Sequence, residues 1–180
     1  MFDSYINDLA TTEVTERGNN LLPGSGTVVV TSFREKGFRG SPRGCLIEMM
    51  VLSATPKEGK GQCNNKGETV SKIFKFDDGD ADKKAAVTGD FLKCVAAIAS
   101  SMGERTDVKS FKDPAKLKAA LALAAESRGV VIGFDSYSAK TKKGEAREYH
   151  NLVPLPNAPE GVLKNRGLLD RKAPPSEFGA

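Results

Sequence analysis

Apolar residues cluster in short runs that alternate with glycine- and proline-containing segments over the first half of the chain. Runs at residues 27–34, 44–53 and 68–76 combine β-branched or aliphatic side chains with breakers on both sides. Such runs are too short for confident helices, and they predict three strands. In the third run, strict alternation places four side chains on one face, namely Val70, Lys72, Phe74 and Phe76. Lys75 lies on the opposite face, and two lysines with two phenylalanines in one strand favour a strand on a binding face.

A second pair of runs predicts a β-hairpin over residues 129–155. Residues 130–134 and 149–153 are rich in β-branched and aromatic residues, and Pro154 ends the second run. The segment between them is basic and contains Gly144, which permits a tight reversal. The sequence therefore predicts two strands joined by a long cationic loop.

Helical periodicity occupies the region between the third run and the hairpin. Apolar residues recur at three- and four-residue steps over 83–102, which predicts a helix that ends at Gly103. Asp113-Pro114 is typical of an N-cap followed by proline in the first turn, so a second helix begins there and ends at Gly129.

The two ends of the chain differ from the central region. Residues 1–21 predict an N-terminal extension with a short helix over 3–17. Residues 156–180 carry proline, glycine and mixed charges with little periodicity, which predicts an extended or disordered tail. One domain over 22–155 remains.

The order of these elements predicts a mainly β, α+β fold. The five-stranded OB barrel has this order, with three consecutive strands, a helical insertion between strands 3 and 4, and a closing pair of strands. That barrel binds oligonucleotides on its strand 2–3 face and with its 1–2 and 4–5 loops.

Composition limits the compartment and the class of protein. The net charge of +4, from 27 basic and 23 acidic residues, does not by itself require a polyanionic partner. Three widely separated cysteines without a C-x-x-C pair argue against a disulfide framework and favour a reducing cytoplasm. No apolar run approaches 18 residues and the first residues are acidic, so we expect neither a membrane span nor a secretory signal.

The distribution of charge is more informative than its sum. In residues 33–43 and again in 140–147, basic residues outnumber acidic ones by four to one. These segments are the loops that an OB barrel presents to nucleic acid. Together with strand 3 they give the following candidate contacts: Phe33, Arg34, Lys36, Phe38, Arg39, Arg43, Lys72, Phe74, Lys75, Tyr137, Lys140, Lys142, Lys143, Arg147 and Tyr149.

Cations and rings in one surface suit single-stranded nucleic acid. Basic side chains displace counterions from phosphates, and exposed rings stack on bases without demanding a sequence. With nine phenylalanines, three tyrosines and no tryptophan, the core must claim about half of the candidate phenylalanines. Phe74 or Phe76 is the best structural candidate, and Phe38 and Tyr149 are the best stacking candidates.

The sequence lacks the catalytic residues and motifs that most enzyme classes require. His150 is the single histidine, and neither a nucleophile elbow nor a P-loop is present. The acidic run at 77–82 departs from an EF-hand, with Lys83 where glycine is needed and Gly89 where glutamate is needed. We therefore expect a solvated loop whose acids favour the start of the next helix, with no metal or cofactor.

The arrangement resembles the phage-encoded OB-fold single-stranded DNA-binding proteins over residues 22–155. The resemblance is carried by the order of LPGSGTVVV, a glycine-broken basic loop before GCLIEMMVL, GETVSKIFKF, the helical insertion and the closing VVIGFDSY…KTKKGEAREYHNLVPLP hairpin. It implies a non-catalytic protein of the host cytoplasm that coats single-stranded DNA, or RNA, in replication or recombination. Replication or recombination proteins and further copies of the chain are the partners it implies.

One feature departs from that family, and two other functions stay open. Many of its members end in an acidic, partner-recruiting tail, whereas KNRGLLDRKAPPSEFGA is slightly basic. The first alternative is a metal-dependent nuclease that uses Asp77–Asp82. The second is an OB-like module whose aromatic and basic face meets an acidic protein.

Overall fold

A computed structural model describes residues 20–77 and 79–171 of the chain. The predicted N-terminal helix over 3–17 and the last nine residues lie outside this part. No helix in the described ranges is long and apolar enough to span a membrane.

The fold is built on one five-stranded antiparallel sheet. Its strands are β1 (Gly24–Glu35), β2 (Gly44–Pro56), β3 (Thr69–Lys75), β4 (Val131–Lys140) and β5 (Ala146–Val153). They are arranged in the order β3-β2-β1-β4-β5. The sheet curls into a half-barrel, because register shifts interrupt the β1–β2 ladder and increase the local twist.

Curling brings the two edge strands towards each other. Lys72 of β3 donates from Nζ to the carbonyl oxygen of His150 on β5, at 3.0 Å. The same ammonium forms an ion pair with Asp90 at 3.2 Å. A lysine therefore links the two edges where the described backbone forms no ladder between them.

Helices fill the connection between β3 and β4. They are α1 (Ala81–Ser101), a 3-10 helix (Val108–Lys112) and α2 (Pro114–Ala125). Asp80 caps α1 and Asp113 caps α2, each carboxylate accepting a hydrogen bond from a first-turn N–H. The core lies between the inner face of the sheet and these helices, with Ile47, Met49, Val95 and Ile132 fully buried.

The five predicted strands are confirmed, and the two strands of the hairpin stay paired further towards the loop than predicted. Ladder pairing continues to Ala139↔Arg147 and Lys140↔Ala146, so only residues 141–145 form the loop. The predicted cationic loop is therefore mostly the end of a paired ribbon. Alternating polar side chains in this stretch obscured the strand, because neither face of it is buried.

The predicted extended tail over 156–180 is wrong for residues 159–171. This segment forms α3 (Pro159–Arg171), which packs against the hydrophobic core through Val162. Arg166 donates to the carbonyls of Arg128 and Glu126 just after α2, and Asn165 donates to that of Gly129. Long-range hydrogen bonds of this kind leave no trace in local periodicity.

Candidate nucleic-acid interface

The β1–β2 loop, residues 36–43, has a fixed conformation. Phe38 and Ser41 exchange two backbone hydrogen bonds of 2.8 and 2.9 Å, and Gly40 between them has a φ of 76°, which favours glycine. The Ser41 hydroxyl is fully buried, donates to the Arg43 carbonyl and accepts from the Asp77 N–H. The loop is thus anchored from within and from the chain that follows β3.

Asp77 holds Arg43 by backbone and side chain together. The Arg43 N–H donates to Oδ2 at 2.9 Å, while Nε and Nη2 both donate to Oδ1. These hydrogen bonds from Arg43 lower the pKa of Asp77 from its ordinary value. The guanidinium itself remains largely in solvent, with 78% of the side chain exposed.

The loop places one aromatic ring within about 6 Å of two cations. The Phe38 ring lies against Gly44, where an added Cβ would come within 2.7 Å of a ring carbon. The ammonium groups of Lys36 and Lys75 lie 5.9 and 5.8 Å from the ring centroid. We call Lys36, Phe38 and Lys75 the Phe38 cluster, and at these distances the cations are attracted to the ring face.

The outer face of the sheet continues from this cluster. Arg34, Leu46 and Ile73 are paired side by side across β1, β2 and β3, and therefore share one face. Ile73 is half exposed, and Arg34 forms an ion pair of 3.5 Å with Glu48. The surface beside the Phe38 cluster is thus partly apolar and carries little unpaired charge.

A second aromatic group lies on the outer face of the hairpin. Tyr137 and Tyr149 are direct cross-strand partners with stacked rings, 5.6 Å between centroids, and each is 41% exposed. Beneath them, Glu148 accepts from Ser138 and Lys57, and these contacts lower the pKa of Glu148. The tyrosine pair is therefore a solvent-facing platform on a braced ribbon.

The remaining basic candidates are exposed. They lie at the turn of the β1–β2 loop and around the end of the hairpin: Arg39, Lys140, Lys142, Lys143 and Arg147.

Three predicted site residues lie on the inner side of the sheet. Phe74 is 3% exposed in the core, so it cannot stack on a base. Lys72 has 16% of its side chain exposed and is held by Asp90 and the His150 carbonyl. Phe33 is half buried and stacks on Phe91. The predicted alternation in β3 is right, but the face with Lys72 and Phe74 is the inner one, and Ile73 and Lys75 face outward.

The acidic segment 77–82 links both basic loops, which sequence reasoning missed. Asp77 holds Arg43 of the β1–β2 loop, and Asp82 pairs with Lys142 of the hairpin loop at 2.5 Å. Five residues span at most about 18 Å. The two basic loops therefore approach the same short stretch of chain.

No nucleophile or metal site emerges among the described residues. Residues 20–77 and 79–171 contain no group of three His, Cys, Asp or Glu side chains placed to hold a metal ion. Burial lowers the pKa of His150, whose Nε2 lies 3.2 Å from the Leu22 carbonyl oxygen. Burial raises the pKa of Cys45 to about 11 and that of Cys94 to about 12, which disfavours the reactive thiolate.

Comparison with known proteins adds no family. No family model matches the chain, and no curated protein is significantly similar to it in sequence.

Proposed function

We propose that this chain is a non-catalytic, largely sequence-independent single-stranded DNA-binding protein with an OB-type barrel. The observation that carries the proposal is the Phe38 cluster, in which a partly exposed ring on an anchored loop has two ammonium groups within about 6 Å of its centroid. Its cellular role would be to coat and protect exposed single strands during replication or recombination.

The topology supports an OB-type barrel. The strand order β3-β2-β1-β4-β5, helices between β3 and β4, and edge strands joined through Lys72 agree with a partly open five-stranded Greek-key barrel. In such barrels the strand 2–3 face and the 1–2 and 4–5 loops bind oligonucleotides. The Phe38 cluster and the hairpin end occupy those positions.

The chemistry of the surface supports a polymer with flat rings and phosphates. Phe38 offers a ring for base stacking, and the lysines beside it neutralise neighbouring phosphates. The tyrosine pair and the cations at the hairpin end repeat this combination at a second place. Neither group offers paired donors and acceptors for reading base edges, so we expect tolerance of sequence.

Titration of fluorescent dT oligomers at two salt concentrations tests the proposal. We expect binding at low salt that weakens as salt rises, with a logarithmic slope of about −0.7 for each phosphate neutralised. An RNA oligomer of the same length separates DNA from RNA preference. Absence of binding at low salt, or binding indifferent to salt, would contradict the proposal.

A nuclease assay tests the alternative that uses the acidic segment. Within the described chain, Asp77, Asp80 and Asp82 are engaged by Arg43, the start of α1 and Lys142, respectively. Labelled single-stranded DNA incubated with Mg²⁺ or Mn²⁺ should remain intact. Cleavage that is lost in Asp77→Asn would favour the nuclease instead.

A further inference from the structure

A cavity of about 750 Å³ lies at the mouth of the half-barrel, beneath the β1–β2 loop. Side chains from both layers line it: Phe33, Phe76, Phe91, Leu121 and Ala125. Its volume is in the range of small-ligand sites, which occur preferentially in the mouths of β-barrels. Neither the Phe38 cluster nor the tyrosine pair accounts for it.

Three phenylalanine rings form the apolar wall of this cavity. Phe91 is the centre of the group, with its centroid 6.2 Å from Phe33 and 5.0 Å from Phe76. Phe91 is nearly buried, but Phe33 and Phe76 keep part of their surface accessible. An aromatic wall left accessible inside a concave site suits a planar, weakly polar guest.

The rim of the cavity is mostly basic, with one glutamate, and belongs to the loop already described and the end of β1. Lys36, Arg43 and Gly44 line the cavity, and Lys36 also belongs to the Phe38 cluster. Gly44 touches the Phe38 ring on the outer face. Asp77 engages Nε and Nη2 of Arg43, but 78% of this side chain is exposed at the rim. A strand lying on the Phe38 cluster would therefore have its backbone at this rim.

We infer that the cavity receives one base of the bound strand, unstacked from its neighbours and inserted against Phe33 and Phe76. The inference rests on the proposed function and adds a second mode of base contact to it. Continuity of the rim with the Phe38 cluster, and cations at the rim where a phosphate would lie, favour a nucleotide over a purely apolar guest. The planar base supplies the apolar face, and its sugar and phosphate stay outside.

Filling the cavity tests the inference. Ala125→Trp and Leu121→Trp, one turn apart on α2, place an indole in the cavity. Ala122→Trp is the matched control, because Ala122 is exposed on the same helix and lines a different depression. Each variant is titrated with a dT oligomer and with an abasic sugar-phosphate oligomer of equal length, and its fold is checked by circular dichroism.

Filling should remove the stacking of one base and leave the pairing with phosphates intact. We expect both cavity variants to bind the dT oligomer about 5- to 150-fold more weakly than wild type, the range for removal of one base stack. Their salt slope and their affinity for the abasic oligomer should match those of wild type and Ala122→Trp.

Several outcomes would overturn the inference. Unchanged dT affinity in both cavity variants, or an equal weakening with the abasic oligomer, shows that no base enters the cavity. Dissociation of a wild-type dimer by the cavity variants, without weaker dT binding, assigns the cavity to a second copy of the chain. In these cases the proposed function stands, whereas it fails if wild type does not bind the dT oligomer at all.

Discussion

At the scale of single residues, the candidate site depends on how Phe38 is supported. The ring lies against Gly44. A Cβ at this position would come within 2.7 Å of the ring and of the carbonyl oxygens of Lys36 and Phe74. The two backbone hydrogen bonds between Phe38 and Ser41 fix the backbone that carries the ring. A ring held in this way loses little rotamer entropy when a base stacks on it.

Replacing Phe38 with leucine should separate stacking from electrostatics. We expect Phe38→Leu to lose about 1–3 kcal/mol of binding free energy for a dT oligomer, because leucine offers no ring face. The salt slope should stay that of wild type, since both lysines remain. Fluorescence anisotropy at several salt concentrations measures both quantities, with Leu163→Ala on the exposed side of α3 as the control. A flatter slope with unchanged low-salt affinity would contradict this role.

Asp77 should make stability depend on acid. Its pKa is lowered in the folded protein, chiefly by hydrogen bonds from Arg43, so its contribution is complete above its ordinary value of 3.8. That contribution is lost as the pH falls through the lower, folded-state pKa. The stability advantage of wild type over Asp77→Asn, measured by urea unfolding, should therefore shrink below about pH 4.

Ser41→Ala provides the comparison for this experiment. It removes the other anchor of the same loop without removing a titratable group. Its difference from wild type should hold across the same pH range. If the difference for Asp77→Asn also holds constant down to pH 2, the carboxylate does not couple to folding as described.

At the scale of elements, the hairpin presents its cations on a paired ribbon. The ladder from Gly133↔Val153 to Lys140↔Ala146 is unbroken, and Lys57 braces it by pairing with Glu148 at 3.0 Å. Lys142 and Lys143 then lie in a loop of five residues. Their charges are therefore carried at a defined position relative to the tyrosine pair.

Neutralising the hairpin loop should reduce the ionic component of binding. For Lys142→Gln with Lys143→Gln, we expect the salt slope to become flatter by up to about 1.4, or 0.7 for each phosphate that is no longer neutralised. The matched control is Lys116→Gln with Lys118→Gln, which changes two exposed lysines of α2. An equal change in both double variants would mean that only net charge matters.

The sequence predicted those elements whose signals are local. The five strands followed from β-branched runs between breakers, and Asp113 does cap the helix that begins at Pro114. The continued pairing of the hairpin strands up to residues 140 and 146 was missed, because both faces of the hairpin are polar near the loop. The helix over 159–171 was missed because the carbonyl groups that accept its side-chain hydrogen bonds, those of Arg128 and Gly129, are distant in sequence.

The site was predicted less completely, because a side chain's role depends on which face the fold buries. Alternation in β3 was correctly inferred, but Lys72 was expected on a binding face, and it turns inward to Asp90 and His150. The link from Asp77 to Arg43 joins positions 34 residues apart. Only the folded chain could show it.

At the scale of the whole molecule, the packing of helices on the sheet buries the three cysteines to different extents. Cys45 and Cys94 are buried, whereas Cys63 is half buried in the loop after β2. Two of the three thiols therefore share the core with the rings that line the mouth of the half-barrel.

Thiol reactivity should report this packing. At pH 8 one thiol, that of Cys63, should react rapidly with an aromatic disulfide reagent, because burial raises the pKa of Cys45 to about 11 and that of Cys94 to about 12. All three should react in denaturant. Cys63→Ser should abolish the rapid phase, and rapid reaction of a second thiol in that variant would contradict the described core.

The ion pairs that join the acidic segment to the two basic loops affect how many ions a bound strand would release into solution. A phosphate that takes over Lys142 leaves the Asp82 carboxylate behind, and that carboxylate then gathers cations from the buffer. Ions shed by the polymer would thus be partly recaptured by the protein. An ion release calculated from the number of lysines and arginines would exceed the release that is measured. This difference should disappear in Asp82→Asn.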